Sequence, residues 1–103
     1  MTPGVRPLVA GNWKMNGLSG SLAEINAIRQ AADAGESGAA ELLVCPPATL
    51  IAQAALRIGS SDVSLGAQDC HPLPSGAFTG DISAPMIKDA GAAYVIEIGR
   101  AHV

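Results

Sequence analysis

Gly11-Asn12-Trp13-Lys14-Met15-Asn16 follows a short apolar run, Pro7-Leu8-Val9-Ala10. The run reads as a buried strand. Gly11 predicts a sharp turn where the strand ends, since a residue without a Cβ turns most freely. An amide, an indole and an ammonium group then follow one another directly. In parallel α/β proteins, ligands sit at the C-terminal ends of strands. Asn12 and Lys14 therefore stand where polar chemistry is expected. Lys14 could neutralise a phosphate or a developing enolate oxygen. Asn12 could donate to the same anion or hold Lys14 in place. The competing reading is a surface loop, with a solvated lysine above a packed tryptophan.

The surrounding chain alternates between strand and helix signals. Residues 1–5 form a frayed start, 6–10 the first strand and 11–20 a Gly- and Ser-rich loop. Ser21 and Glu24 have capping-box spacing. Leu22, Ile25, Ile28 and Ala32 recur at helical spacing, so a helix is expected to about Ala34, stopped by Gly35. Residues 41–45 read as the second strand, ended by Pro46-Pro47, neither of which can donate to a ladder. Leu50, Ile51, Ala54, Ala55 and Ile58 predict an amphipathic helix over 49–58, closed by Gly59. Residues 63–67 read as the third strand.

From Gln68 to Asp81 the periodicity disappears. A loop this long in a compact domain is usually functional. Ser83 then caps a short helix that tolerates Pro85 in its first turn and ends at Gly91. Residues 92–96 read as the fourth strand. The order is β-α-β-α-β-loop-α-β, which argues a parallel sheet flanked by helices. Continuously apolar strands predict burial on both faces. Periodicity alone leaves open a doubly wound sheet or part of a (β/α)₈ barrel.

Bulk properties narrow the function. A chain of 103 residues, 49% apolar, can build one small core and is not disordered in composition. The net charge of −3 is interspersed, without the basic patch of a nucleic-acid binder. No apolar run is long enough to span a membrane, and the N-terminus has no signal-peptide pattern. Cys45 and Cys70 lack metal-ligand spacing and a disulfide framework, so both read as reduced thiols, with Cys45 in the core. His71 beside Cys70 suggests a thiol–imidazole pair, but sequence neighbours on an extended chain point to opposite faces.

Further blocks extend the opening motif. Gly66-Ala67-Gln68-Asp69-Cys70, then Gly76-Ala77-Phe78-Thr79-Gly80-Asp81-Ile82-Ser83, then Met86 through Ile96 follow in order. Together with the hexapeptide they resemble the triosephosphate isomerase family over residues 7–96. The resemblance implies an α/β fold: the N-terminal half of a (β/α)₈ barrel, with four parallel strands and intervening helices. It implies interconversion of dihydroxyacetone phosphate and D-glyceraldehyde 3-phosphate through an enediolate, in glycolysis and gluconeogenesis. It implies no cofactor, no metal, a cytoplasmic location, and no nucleic-acid or membrane partner. By the match, Asn12, Trp13 and Lys14 bind substrate, and Lys14 is also catalytic, stabilising the enediolate oxygen. The 68–81 loop implies a homodimer, with Gln68, Phe78 and Thr79 at the interface. Thr79 would reach towards the partner subunit's Asn12 and Lys14. The rival for Phe78 is packing within its own chain.

The resemblance stops at Ile96. The family continues with a hydrophobic residue and Gly-His-Ser-Glu, whose histidine is the electrophile, and places its catalytic glutamate farther on. Here Glu97-Ile98-Gly99-Arg100-Ala101-His102-Val103 follows, with glycine at the histidine position. His102 lies outside the motif and reads as a solvated terminal residue. The frame GAG-ATC-GGA-AGA-GCA-CAC-GTC translates to this heptapeptide and is the start of a common sequencing-library adapter preceded by one G. The expectation is that residues 97–103 are adapter read-through and that the natural protein continues past Ile96. The 103-residue chain is expected to be inactive on its own. Two other functions fit the sequence: a non-catalytic α/β module holding an anion near Lys14, or a fragment that binds a subunit through its long loop.

Overall fold

The computed structural model describes residues 6–96, so the expected tail at 97–103 and the start at 1–5 lie outside the described residues. Strands β1 (Leu8–Asn12), β2 (Glu41–Cys45), β3 (Ser64–Ala67) and β4 (Tyr94–Val95) alternate with helices α1 (Leu22–Asp33), α2 (Ile51–Ile58) and α3 (Ala84–Ala90). The strands form one sheet in the order β1-β2-β3-β4, and every pair is parallel.

That order resolves what periodicity left open. A doubly wound sheet reverses its strand order and places helices on both faces. Here the strands follow chain order. Leu22 and Ile25 of α1, Ile51, Ala54 and Ile58 of α2, and Ile87 of α3 share one core with Val44, Leu65 and Ala67. All three helices therefore cover the same face, as in a sector of a (β/α)₈ barrel. The opposite face follows from the register. Leu8, Ala10 and Asn12 align with Glu41, Leu43 and Cys45, then with Ser64, Gly66 and Tyr94.

Several sequence expectations need correction. The first strand runs from Leu8 to Asn12, and Gly11 does not turn the chain. It pairs with Val44 inside the ladder, because parallel bonding continues to Asn12 opposite Cys45. The turn comes at Lys14, where φ is +57°. The Ser21–Glu24 capping box does not form. Ser21 already has helical dihedrals, and its hydroxyl accepts from the Leu18 amide at 3.1 Å, closing a 3₁₀ turn over Ser19–Ser21. The second helix is likewise preceded by a 3₁₀ turn, Ala48–Leu50.

Burial on both faces holds only in the middle of the sheet. Leu43, Val44 and Cys45 of β2 and Leu65, Gly66 and Ala67 of β3 are buried. All of β1 and β4 is exposed, with Leu8 at 50% and Val9 at 55%. These are the two outer strands, with no further strand bonded beyond them among the described residues.

Other local signals match. Gly35, Gly59 and Gly91 follow the three helices with φ of +78°, +56° and +118°. The Ser83 hydroxyl accepts from the Met86 amide at 3.4 Å, capping α3 as its position predicts. No helix among the described residues is long and apolar enough to cross a membrane.

Candidate functional site

The site lies at the C-terminal ends of β1, β2 and β3. Asn12 is the last residue of β1, and its Oδ1 accepts from the Lys14 backbone amide at 2.8 Å. The Asn12 side chain is thus bonded to the Lys14 backbone. Lys14 has the one positive φ outside glycine among the described residues, and the residue is exposed. Asn16 Nδ2 donates to the Trp13 carbonyl at 3.0 Å, tightening the same turn.

Trp13 faces the protein. It packs half-buried against the core, and its amide donates to the Cys45 carbonyl at 3.1 Å. A Cβ on Gly17 would stand 3.0 Å from the Trp13 ring and 3.2 Å from Leu50. Gly17 therefore lies close against both the indole and Leu50, and the indole forms the floor of the loop.

Gln68 follows β3 directly. Its Nε2 donates to the Lys14 carbonyl at 2.7 Å and to the Cys45 carbonyl at 3.0 Å. The amide nitrogen thus serves its own chain, joining the ends of β2 and β3 to the loop after β1. Sequence reasoning missed this brace. The available signal was a glutamine directly after a buried strand, at the same end of the sheet as Asn12.

The 68–81 loop is irregular, as expected, and residues 72–81 are exposed. Its base is closed by the His71 amide donating to the Ile82 carbonyl at 2.8 Å. Phe78 stacks on His71 with ring centroids 4.0 Å apart, yet stays 42% exposed. His71 Nδ1 accepts from the Leu73 amide at 3.0 Å, so its inner nitrogen is occupied within the loop. A cleft of about 190 Å³ at the loop base is lined by Gln68, Asp69, Cys70, His71 and Asp81, among others. Neither Lys14 nor Asn12 lines it. Among the described residues no His, Cys, Asp or Glu cluster is arranged to hold a metal ion.

Below the site, burial pushes the Cys45 thiol pKa up. Its side chain is fully enclosed, and a Cβ on Gly66 would come within 2.8 Å of its sulfur. The site therefore rests on a packed layer of β2 and β3.

The triosephosphate isomerase family model matches residues 7–99. A triosephosphate isomerase from Xanthobacter autotrophicus is 58% identical over 91 residues, covering 88% of this chain and 36% of the relative. One from Bradyrhizobium sp. (strain ORS 278) is 59% identical over 97 residues, covering 93% of this chain and 38% of the relative. The crystal structure of triosephosphate isomerase from Bartonella henselae superimposes with a TM-score of 0.79 at 49% identity, over 88% of this chain and 37% of that one. The chain thus spans little more than a third of the length of these relatives.

Proposed function

The chain belongs to the triosephosphate isomerase family, and from that premise we propose that it carries part of the active site of an isomerase. The reaction interconverts dihydroxyacetone phosphate and D-glyceraldehyde 3-phosphate through an enediolate. The observation that carries this is the pinned Lys14, held at the strand ends by Asn12 and Gln68. An ammonium group rooted there supplies fixed positive charge where an enediolate oxygen and a phosphate dianion develop or bind. Asn12 spends its oxygen on the Lys14 amide, so its NH₂ is the end offered to an anion. Trp13 contributes from below, as support for the loop.

The mechanism needs a base and an electrophile as well. The Gly-His-Ser-Glu motif does not occur in this sequence. The proposed activity is therefore that of the completed protein, and the 103-residue chain alone is inactive. The test joins residues 1–96 to the remaining C-terminal part of the Xanthobacter relative. Isomerase turnover by the chimera, and none by the 103-residue chain, is the expected result. A folded chimera without turnover overturns the assignment.

The loop favours a homodimer as the working assembly. Phe78 remains 42% exposed despite its stacking on His71, at the tip of an otherwise exposed segment. Phe78 and Thr79 are the residues we assign to the interface. Gln68 borders it while bonding inside its own chain. We further assign the protein to the cytoplasm and to glycolysis and gluconeogenesis, and residues 97–103 to adapter read-through. Reads from source DNA across the Ile96 codon decide the last point.

A further inference from the structure

We propose that Gln68 is a positioning residue for Lys14. Its amide holds the Lys14 peptide in the left-handed conformation and so fixes where the lysine side chain leaves the backbone. The hydrogen bonds carry the brace, and its consequence for turnover rests on the isomerase reading above.

A left-handed backbone is disfavoured for any residue with a Cβ, which approaches the following carbonyl oxygen too closely. Such a conformation persists where its surroundings over-determine it. At Lys14 they do. The peptide N–H is held by Asn12 Oδ1 at 2.8 Å, and the carbonyl by Gln68 Nε2 at 2.7 Å. Gln68 is itself anchored, because the same nitrogen reaches the Cys45 carbonyl at 3.0 Å. That carbonyl also accepts from the Trp13 amide at 3.1 Å, so both of its lone pairs are engaged. Cys45 belongs to the buried end of β2. A rigid chain of contacts therefore runs from the sheet through Gln68 to Lys14, across 54 positions of sequence.

The side chain suits this task closely. Its NH₂ has two hydrogens, and two carbonyl oxygens receive them. Methionine has the length without a donor. An ionised glutamate would set an anion against two carbonyl oxygens. Without the brace, the Lys14 backbone relaxes and its ammonium group moves. A misplacement of about 1 Å costs on the order of 10²-fold in rate.

The test uses the completed chimera, with Q68M and K14M made singly and together. With Lys14 present, Q68M is expected to lower kcat/KM on the order of 10²-fold. In the K14M background it is expected to cost less than about twofold, because the group it positions is gone. Amide hydrogen exchange at residue 14 is expected to accelerate in Q68M while α2 stays protected. An equal loss in both backgrounds, no loss in either, or unchanged exchange at residue 14 overturns the proposal. An inactive chimera refutes the isomerase reading, and exchange at residue 14 then decides the brace by itself. If Q68M does not fold, the unsubstituted protein decides. Slow exchange of both Gln68 Nε2 protons supports the brace, and exchange at the rate of a free amide overturns it.

Discussion

The Tyr94 hydroxyl donates to Glu41 Oε1 at 3.2 Å, although β4 and β2 are not neighbours in the sheet. The Ser64 hydroxyl, on the strand between them, donates to the same oxygen at 3.2 Å. Adjacent strands lie about 4.8 Å apart, so these side chains span two strand spacings across the face without helices. One carboxylate thus ties three strands together on that face.

This contact has a pH signature. The Glu41 charge, and then the hydrogen bond to it, push the Tyr94 pKa above its ordinary value. A raised folded-state pKa means the fold favours the neutral phenol. The contribution is fully present below the unfolded value, about 10, and is lost as pH rises through the folded value. Tyr94 is the single tyrosine in the chain, so its phenolate absorbance can be followed directly. Its midpoint is expected above that of free tyrosine, and Glu41→Gln is expected to lower it.

Gly66→Ala is expected to destabilise by about 1–3 kcal/mol, the usual cost of overpacking. The new Cβ would stand 2.8 Å from Cys45 Sγ and 3.3 Å from Leu43 Cδ1 and the Tyr94 carbonyl oxygen. Cys45→Ala removes the nearest of these atoms. Thermal melts of the double variant are expected to show a smaller loss than the sum of the singles.

The two thiols should separate by reactivity. Cys45 is enclosed and its pKa is raised by burial, whereas Cys70 is partly exposed. The thiolate is the reacting form. Brief alkylation at neutral pH, read by peptide mapping, is expected to label Cys70 well before Cys45. Equal labelling would mean that the β2–β3 layer is open.

Ser83→Ala removes the α3 cap, and the effect should be small. The bond to the Met86 amide is long, at 3.4 Å, so a loss near 0.5–1 kcal/mol is expected from denaturant midpoints. Gly91→Ala should cost more. Gly91 has φ of +118°, and an added Cβ would come within 2.6 Å of the Ala55 Cβ.

Lys14→Ala in the completed chimera is expected to raise the barrier by about 3–4 kcal/mol, a loss of roughly 10²–10³ in kcat. Stability should change little, since the residue is exposed. Unchanged turnover would remove Lys14 from the catalytic assignment.

The alternation of elements, the glycine stops, the Ser83 cap and the placement of Asn12 and Lys14 beside a strand end are all legible in the residues alone. These are local matters, decided by side-chain periodicity and by backbone preferences within a few residues. The same local rules misplaced the turn at Gly11 and the cap at Ser21. In the first case pairing with β2 carried the strand two residues farther, and in the second a 3₁₀ turn took the hydroxyl. Periodicity left open the strand order and the shared face of the three helices, which the family resemblance implied and the fold displays. The contacts of Gln68 with Lys14 and of Tyr94 with Glu41 emerge only in three dimensions. Those last partners are 54 and 53 positions apart. No local preference encodes such pairs. They follow from the register in which parallel strands lock when their helices bury a single common face.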